Sequence, residues 1–291
     1  MGDVVGLPTE TVYGLGADAL NPAACARIFE AKDRPLYDPL IVHLPDPGWL
    51  DRLAVATPLA RQLAEKFWPG PLTLVLERRE IVPDLVTSGQ STVALRMSAH
   101  SVFRAVVDSF GRPVAAPSAN RFGRISPTTA DDVLEELDGR IPLVLDGGPC
   151  AHGIESTIVM VRGDRLQILR RGPVTAEDLS AFGPVDETPA EVSMPGAMKS
   201  HYAPRTPLVI GPGDSDARGR SGLLAWTGSG DGYACTEYLS RTRDLREAAA
   251  NLYGAMRRLD AVGLEQIVAE PLPEQGLGAA IMERLRKAAA R

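Results

Sequence analysis

The stretch "EAKDRPLYDPLIVHL", residues 30–44, sets Lys32 and Arg34 two apart around a turn stiffened by Pro35 and Pro39, and His43 follows in the next apolar run. Two fixed cations beside an imidazole suit an anionic ligand, because Arg supplies a planar fork and Lys a point charge. Other polar groups stand where apolar runs begin or end. "GLPTETVYGLGAD" offers Thr9, Thr11 and Tyr13, and "AAPSANRFGRISPT" offers Ser118, Asn120 and Ser126 between Pro117 and Pro127. "GIESTIV" opens a run with Glu155, Ser156 and Thr157, while "ILRRGP" ends one with Arg170 and Arg171. In α/β sheets ligands bind at strand ends, so this grouping is what a pocket would require. Singly, each has a plainer reading. His43 fits a satisfied structural histidine, Lys32 and Arg34 fit cations at a helix end, and Ser or Thr beside proline fits a turn cap. The acidic group Asp131, Asp132, Glu135 and Glu136 reads as the first turns of a helix rather than as metal ligands, and no GxxxxGK[ST] loop is present.

The elements that must position these groups alternate through about residue 180, which points to an α/β layer structure. "DPLIVHL" reads as a strand with Ile41 and His43 on one face and Leu40, Val42 and Leu44 on the other. "TPLARQLAEKFW" reads as a helix with Thr57 as N-cap and Pro58 in its first turn. "SAHSVFRAVVDSFG" is expected to be helical from Ser98 to Gly111, and "TTADDVLEELDG" from about Thr129 to Gly139. "PLTLVLE", "TVALRM", "RPVAAPS", "IPLVLDGG", "ESTIVMV" and "RLQILR" read as strands. Their order is no clean βαβ repeat, so a mixed, twisted sheet is expected. Residues 184–206 carry several prolines and no periodicity and read as a linker. Beyond it, "PLVI", "GLLAW", "ACTEYL" and "EQIVAE" read as strands, and "DLREAAANLYGAMRRLDAVG" and "GAAIMERLRKAAA" as helices. The domains are therefore 1–183, a linker or lid at 184–206, and a smaller α/β domain at 207–291.

The 291-residue chain has a formal net charge of −6, which argues against tight non-specific nucleic-acid binding. It leaves room for a local cationic pocket. No apolar run is long enough to span a bilayer, and the start lacks the pattern of a signal peptide. Cys25, Cys150 and Cys235 are scattered and fit neither a disulfide framework nor a CxxC site. A cytoplasmic enzyme or binding protein is the resulting expectation, without a membrane partner.

In order along the chain stand "PTETVYGLGADA", "KDRPLYDPLIVHL", "VALRM", "APSAN…SPT", "GGPCAHGIESTIV" and "ILRRGP". This series resembles the YrdC-like domain of the L-threonylcarbamoyladenylate synthase family. "HYAPRTP" followed by an α/β tail resembles that family's two-domain form. The resemblance implies a YrdC-like twisted mixed sheet followed by a smaller Rossmann-like domain. It implies condensation of L-threonine, bicarbonate and ATP to threonylcarbamoyl-AMP and pyrophosphate, with Mg²⁺ accompanying ATP and no protein metal site. The product would pass to a tRNA threonylcarbamoyltransferase for modification of the adenosine beside the anticodon.

On that resemblance Lys32 and Arg34 are the phosphate clamp. Threonine is expected at Thr11, His43, Arg96, Ala116 and Ser156, with Arg96 on its carboxylate. ATP is expected at Arg34, Asp38, Thr92, Ser118, Ser126 and Arg170, with Tyr202 of the linker closing over it. Three departures stand out. The chain opens almost on the first motif, so less cover over the first strands is expected. Asp38 stands where the family commonly has Asn, and Arg171 where it commonly has Pro. Asp38 would need Mg²⁺ or Lys32 to offset it near phosphates. The alternative is a double-stranded RNA or tRNA-binding module, which the acidic balance disfavours. A carbamoyl-transfer domain of the hydrogenase-maturation kind is disfavoured by the missing zinc-finger-like and acylphosphatase-like segments.

Overall fold

The computed structural model describes residues 2–188, 198, 200–213 and 217–290. A hairpin of β1 (Val5–Leu7) and β2 (Gly14–Asp18) opens the chain, followed by α1 (Pro22–Lys32) and β3 (Ile41–His43). Asn21 caps α1 through the amides of Ala23 and Ala24, and Asp33 ends it in the left-handed region at φ 52°. Then come α2 (Trp49–Leu53), β4 (Ala54–Val55), α3 (Pro58–Phe67), β5 (Leu72–Arg78), α4 (Asp84–Thr87) and β6 (Thr92–Arg96). The first domain continues through α5 (Ser101–Phe110), β7 (Val114–Ala115), α6 (Ala130–Leu137), β8 (Thr157–Arg162), β9 (Arg165–Arg170), α7 (Ala176–Ser180) and β10 (Val185–Asp186).

Thr57 and Pro58 start α3 as their types require, and Thr129 with Asp132 forms a reciprocal capping box on α6. Helix α5 begins three residues later than its sequence suggests, at Ser101. The Ser98 hydroxyl is drawn away to donate to Glu10 Oε2 at 2.5 Å and so does not cap the helix. "IPLVLDGG" forms no strand; it makes a single bridge between Gly6 and Val144, because only the short β1 runs beside it. Strand β10 lies inside the segment read as linker, since Val185 and Asp186 pair in parallel with Leu166 and Gln167.

The large sheet runs β1-β2-β7-β3-β6-β5-β8-β9-β10, with β4 beside β5. It is mixed: β3 is parallel to β6, β5 antiparallel to β6, and β8 parallel to β5. Period-2 alternation divides its faces. Leu40, Val42, Leu74, Leu76 and Leu95 belong to the main core with residues of α1 and α3. Ile41, Val75, Ala94, Ile158 and Leu169 form a separate cluster on the opposite face.

The second domain holds β11 (Leu208–Ile210), β12 (Ser221–Ala225), β13 (Cys235–Tyr238), α8 (Leu245–Asp260), β14 (Gln266–Ala269) and α9 (Leu277–Ala289). Among the described residues its four strands are all parallel, in the order β11-β14-β12-β13. Helices α8 and α9 pack back on the first domain, so Val12, Ile125, Ile154 and Tyr202 share a core with Leu252, Met256, Ile281 and Leu285. Gly153, at φ +68°, meets α8 so closely that a β-carbon there would lie 2.5 Å from the Ala249 carbonyl oxygen. No helix among the described residues is long and apolar enough to cross a membrane.

Candidate active site

The polar motifs meet at strand ends, on the sheet face away from the main core: His43 closes β3, Arg96 closes β6, Arg170 closes β9, and Glu155 stands just before β8. A cleft of about 500 Å³ opens there, lined by Thr11, Arg34, His43, Arg96, Ala116, Ser118, Arg170 and Tyr202. The register explains the grouping: His43 lies opposite Arg96, and Arg96 opposite Thr73, on neighbouring strands.

Arg34 is nearly fully buried, and the proline-stiffened loop holds it. Its Nε donates to the Asp38 carbonyl at 3.1 Å and an Nη donates to the Pro39 carbonyl at 2.7 Å. The Asp38 carboxylate sits 3.0 Å from the same guanidinium. The partner that offsets Asp38 here is therefore Arg34, ahead of Lys32. Burial raises the Asp38 carboxyl, and Arg34, Lys32 and Arg170 counter it. Asp38 itself is absent from the cleft wall.

Lys32 is also behind the wall. Its Nζ donates to the Ser118 carbonyl at 2.5 Å and to the Asn120 carbonyl, tying the end of α1 to the serine loop. Burial and then Arg34 push the Lys32 ammonium well below the usual lysine range. Ser156 stands behind Arg170, which donates from Nε to the Ser156 carbonyl at 3.0 Å and from an Nη to its hydroxyl at 3.1 Å. Ser126 donates to Glu155 at 2.5 Å. Thr92 is not brought to the cleft: it begins β6, four residues or about 13 Å along the strand from Arg96.

The sequence reading left Glu10 unassigned, yet it occupies the fork given to a substrate carboxylate. Arg96 donates to Glu10 Oε1 at 2.6 Å and to Thr11 Oγ1 at 3.0 Å. A ligand carboxylate at Arg96 must share it with Glu10. Burial raises the Glu10 carboxyl, but Arg96 and Ser98 outweigh it and hold the group at about 2. The Glu–Arg contact crosses 86 positions of sequence, so no local spacing announced it.

Glu155 lines the cleft and is anchored from the second domain. Arg284 donates to its Oε2 at 2.7 Å and the Tyr253 hydroxyl at 2.9 Å. Burial would raise Glu155; Arg284, Arg170 and Ser126 bring it to about 2. Arg284 is fully buried and stands 5.3 Å from the Tyr202 ring. Tyr202 is itself buried in the left-handed region at φ 61°, a strained conformation for a bulky residue. The neighbouring His201 also lines the cleft, a position the sequence reading passed over. Of the expected lid, residues 189–197 and 199 lie outside the described residues.

Among the described residues His43 and His201 are buried with no hydrogen-bond partner at Nδ1, and burial first, then nearby cations, lowers both imidazoles to about 3. Above the ordinary histidine value of 6.5 folded and unfolded chains both hold them neutral. Below it the unfolded chain binds protons that the folded one refuses, so stability falls as pH drops from 6.5 toward 3. Each is expected to remove about 1.4 kcal/mol per pH unit. Glu10 and Glu155 add a further loss below about 4.5, as pH falls toward 2. Urea unfolding should show its midpoint descending steadily from pH 6.5 to 4.5; a flat midpoint across that range would contradict the neutral, buried assignment.

A mixed sheet with a cationic cleft on one face, backed by a smaller α/β domain with a parallel sheet, defines the chain's class. The Sua5/YciO/YrdC family model, described as "Telomere recombination", matches residues 1–172, and "Threonylcarbamoyl-AMP synthase, C-terminal domain" matches residues 174–290. The chain belongs to this family, in its two-domain form. It is 41% identical to the threonylcarbamoyl-AMP synthase of Pyrococcus abyssi, covering 99% of this chain and 90% of that protein. It is 41% identical to the Bacillus subtilis protein of the same name, over 99% of this chain and 89% of that one. The crystal structure of P. abyssi Sua5 complexed with L-threonine superimposes with a TM-score of 0.91 at 38% identity, covering 99% of this chain and 91% of that one.

Proposed function

We propose that the chain condenses L-threonine, bicarbonate and ATP to threonylcarbamoyl-AMP and pyrophosphate. The observation that carries this reading is the convergence of Arg34 and Arg170 with the neutral His43 in one cleft, in a chain related along 99% of its length to threonylcarbamoyl-AMP synthases. Threonine's amine, unprotonated, attacks the carbon of bicarbonate; the C–N bond forms, a C–O bond breaks, and the hydroxide leaves with the amine's proton as water, giving the carbamate. His43, buried and held neutral, gives that amine an uncharged neighbour on the cleft wall and takes up no proton in the step. A carbamate oxygen then attacks the α-phosphorus of ATP, the bond to the bridging oxygen breaks, and pyrophosphate leaves. Both reactants are anions, so fixed guanidinium groups supply the electrostatic positioning that nucleotidyl transfer depends on.

Mg²⁺ enters this scheme with ATP, as part of the substrate. Among the described residues no group of three or more His, Cys, Asp or Glu could hold a metal, and Asp38 and Glu155 are already tied to Arg34 and Arg284. The product suits hand-over to a transferase that modifies the adenosine beside a tRNA anticodon. A cytoplasmic place of work follows from those substrates.

Pyrophosphate release measured with and without threonine and bicarbonate tests the reading: ATP consumption needing both supports it, and release indifferent to either rejects it. Valine should turn over at least 100-fold more slowly than threonine in kcat/KM, because a site built to bond the hydroxyl leaves polar groups unpaired without it. Equal rates would refute a hydroxyl-reading site. Tyr202, strained and buried against the cleft, acts in this reading as the closing group that excludes water. Tyr202→Ala should lower kcat about tenfold or more while circular dichroism stays unchanged; unaltered kinetics would remove the lid.

A further inference from the structure

The second domain has a cavity of its own, which the catalytic reading does not use. It is open to solvent, with about 790 Å³ of space when the open part is included. It lies where three neighbouring parallel strands end: Gly211 and Pro212 follow β11, residues 228–233 follow β12, and Glu270 and Pro271 follow β14. The carboxyl ends of parallel strands are where open α/β sheets take ligands.

The walls are built rather than incidental. Glu270 Oε2 accepts from the amides of Trp226, Thr227 and Gly228 at 2.6, 2.6 and 2.9 Å. Burial raises this carboxyl, but those amides outweigh it and hold it below the usual range. Oε1 makes no hydrogen bond among the described residues and stands where a β-carbon on Gly228 would meet it at 2.4 Å. Only glycine fits Gly230, which is at φ +81° with Thr236 Oγ1 2.5 Å from a would-be β-carbon. Tyr238 donates to the Ser229 carbonyl at 2.8 Å and fixes the loop from outside. Elsewhere in the lining the Arg218 guanidinium lies 5.2 Å from the centroid of the Tyr233 ring.

We infer that this cavity is a second, non-catalytic ligand site for a ribonucleoside, with the ribose hydroxyls donating to Glu270 Oε1 and the base stacking on the Arg218–Tyr233 wall. An ionised acceptor with one oxygen fixed by backbone and the other free suits a vicinal diol. A planar guanidinium on an aromatic ring suits the flat face of a base, whatever its sequence of donors and acceptors. Binding at this place would give the second domain a ligand-sensing role separate from the chemistry on the first sheet.

The test is hydrogen exchange on the full chain with adenosine, guanosine, cytidine and uridine, each at millimolar concentration, and with 2′,3′-dideoxyadenosine. At least one ribonucleoside is expected to slow exchange at 226–233 and 269–272, and dideoxyadenosine to leave it unchanged. Glu270→Gln should weaken that protection at least tenfold while threonine-dependent pyrophosphate release stays at the parent rate. Should Glu270→Gln disturb the loop, Arg218→Ala removes the stacking wall without touching the amide cradle and must weaken protection as well. Absence of protection with all four ribonucleosides, protection confined to the catalytic segments 9–14 and 116–120, or equal protection by dideoxyadenosine would overturn the site.

Discussion

Arg284→Met is expected to cost about 3–5 kcal/mol of stability, the penalty for leaving a buried charge without its partner. The charge is Glu155, almost wholly enclosed between the two domains and bonded by Arg284, Tyr253 and Ser126. Arg284 also donates to the Arg171 carbonyl at 2.8 Å, so one side chain fastens α9 to the segment before β8 and to the residue after β9. Activity should fall with stability, because Glu155 precedes Ser156 and Ser156 holds Arg170. Adding Glu155→Gln to the variant should restore a large part of the loss by removing the orphaned charge. Urea titrations of the two single variants and the double variant measure this. Additive losses, with no recovery in the double variant, would contradict a pairwise interdomain bond.

Arg34→Ala should lower threonine-dependent pyrophosphate release by about 10²–10³-fold, the range found for removal of one preorganised donor of transition-state charge. The guanidinium is aimed by two loop carbonyls and Asp38, so little reorganisation is left for the moment of reaction. Arg34→Lys should recover only a small part, since an ammonium cannot reproduce the fork. Asp38→Asn keeps the loop's shape and removes a negative charge 3.0 Å from Arg34, so it should change activity far less. A loss below tenfold in Arg34→Ala would take that residue out of the reacting centre.

Much of the scaffold was legible because local chemistry set it. Thr57 before Pro58, the Thr129–Asp132 box and the alternation of Leu40, Ile41, Val42 and His43 all behave as their types dictate. Misreadings arose where a distant partner outbid the local signal. Ser98 had the type of an N-cap, but Glu10 claimed its hydroxyl across 88 positions. Arg96 was legible as a cleft residue and not as the partner of that same glutamate. Arg284 lies in a helix whose sequence shows an ordinary run of charges, and only docking across 129 positions buries it on Glu155. "IPLVLDGG" had a strand's composition without a strand long enough beside it. Motif membership put most groups at the cleft but could not rank them by depth, which is why Lys32, Asp38, Ser126 and Ser156 fall behind its wall and Thr92 away from it.

The most direct test follows the carbon. Incubating the protein with ATP, L-threonine and ¹³C-bicarbonate, then analysing the mixture at once by mass spectrometry, should show an AMP adduct of threonine carrying one heavy carbon. Its amount should match the pyrophosphate released. Pyrophosphate without that adduct, or an adduct with no label from bicarbonate, would contradict a cleft that joins a threonine carbamate to AMP.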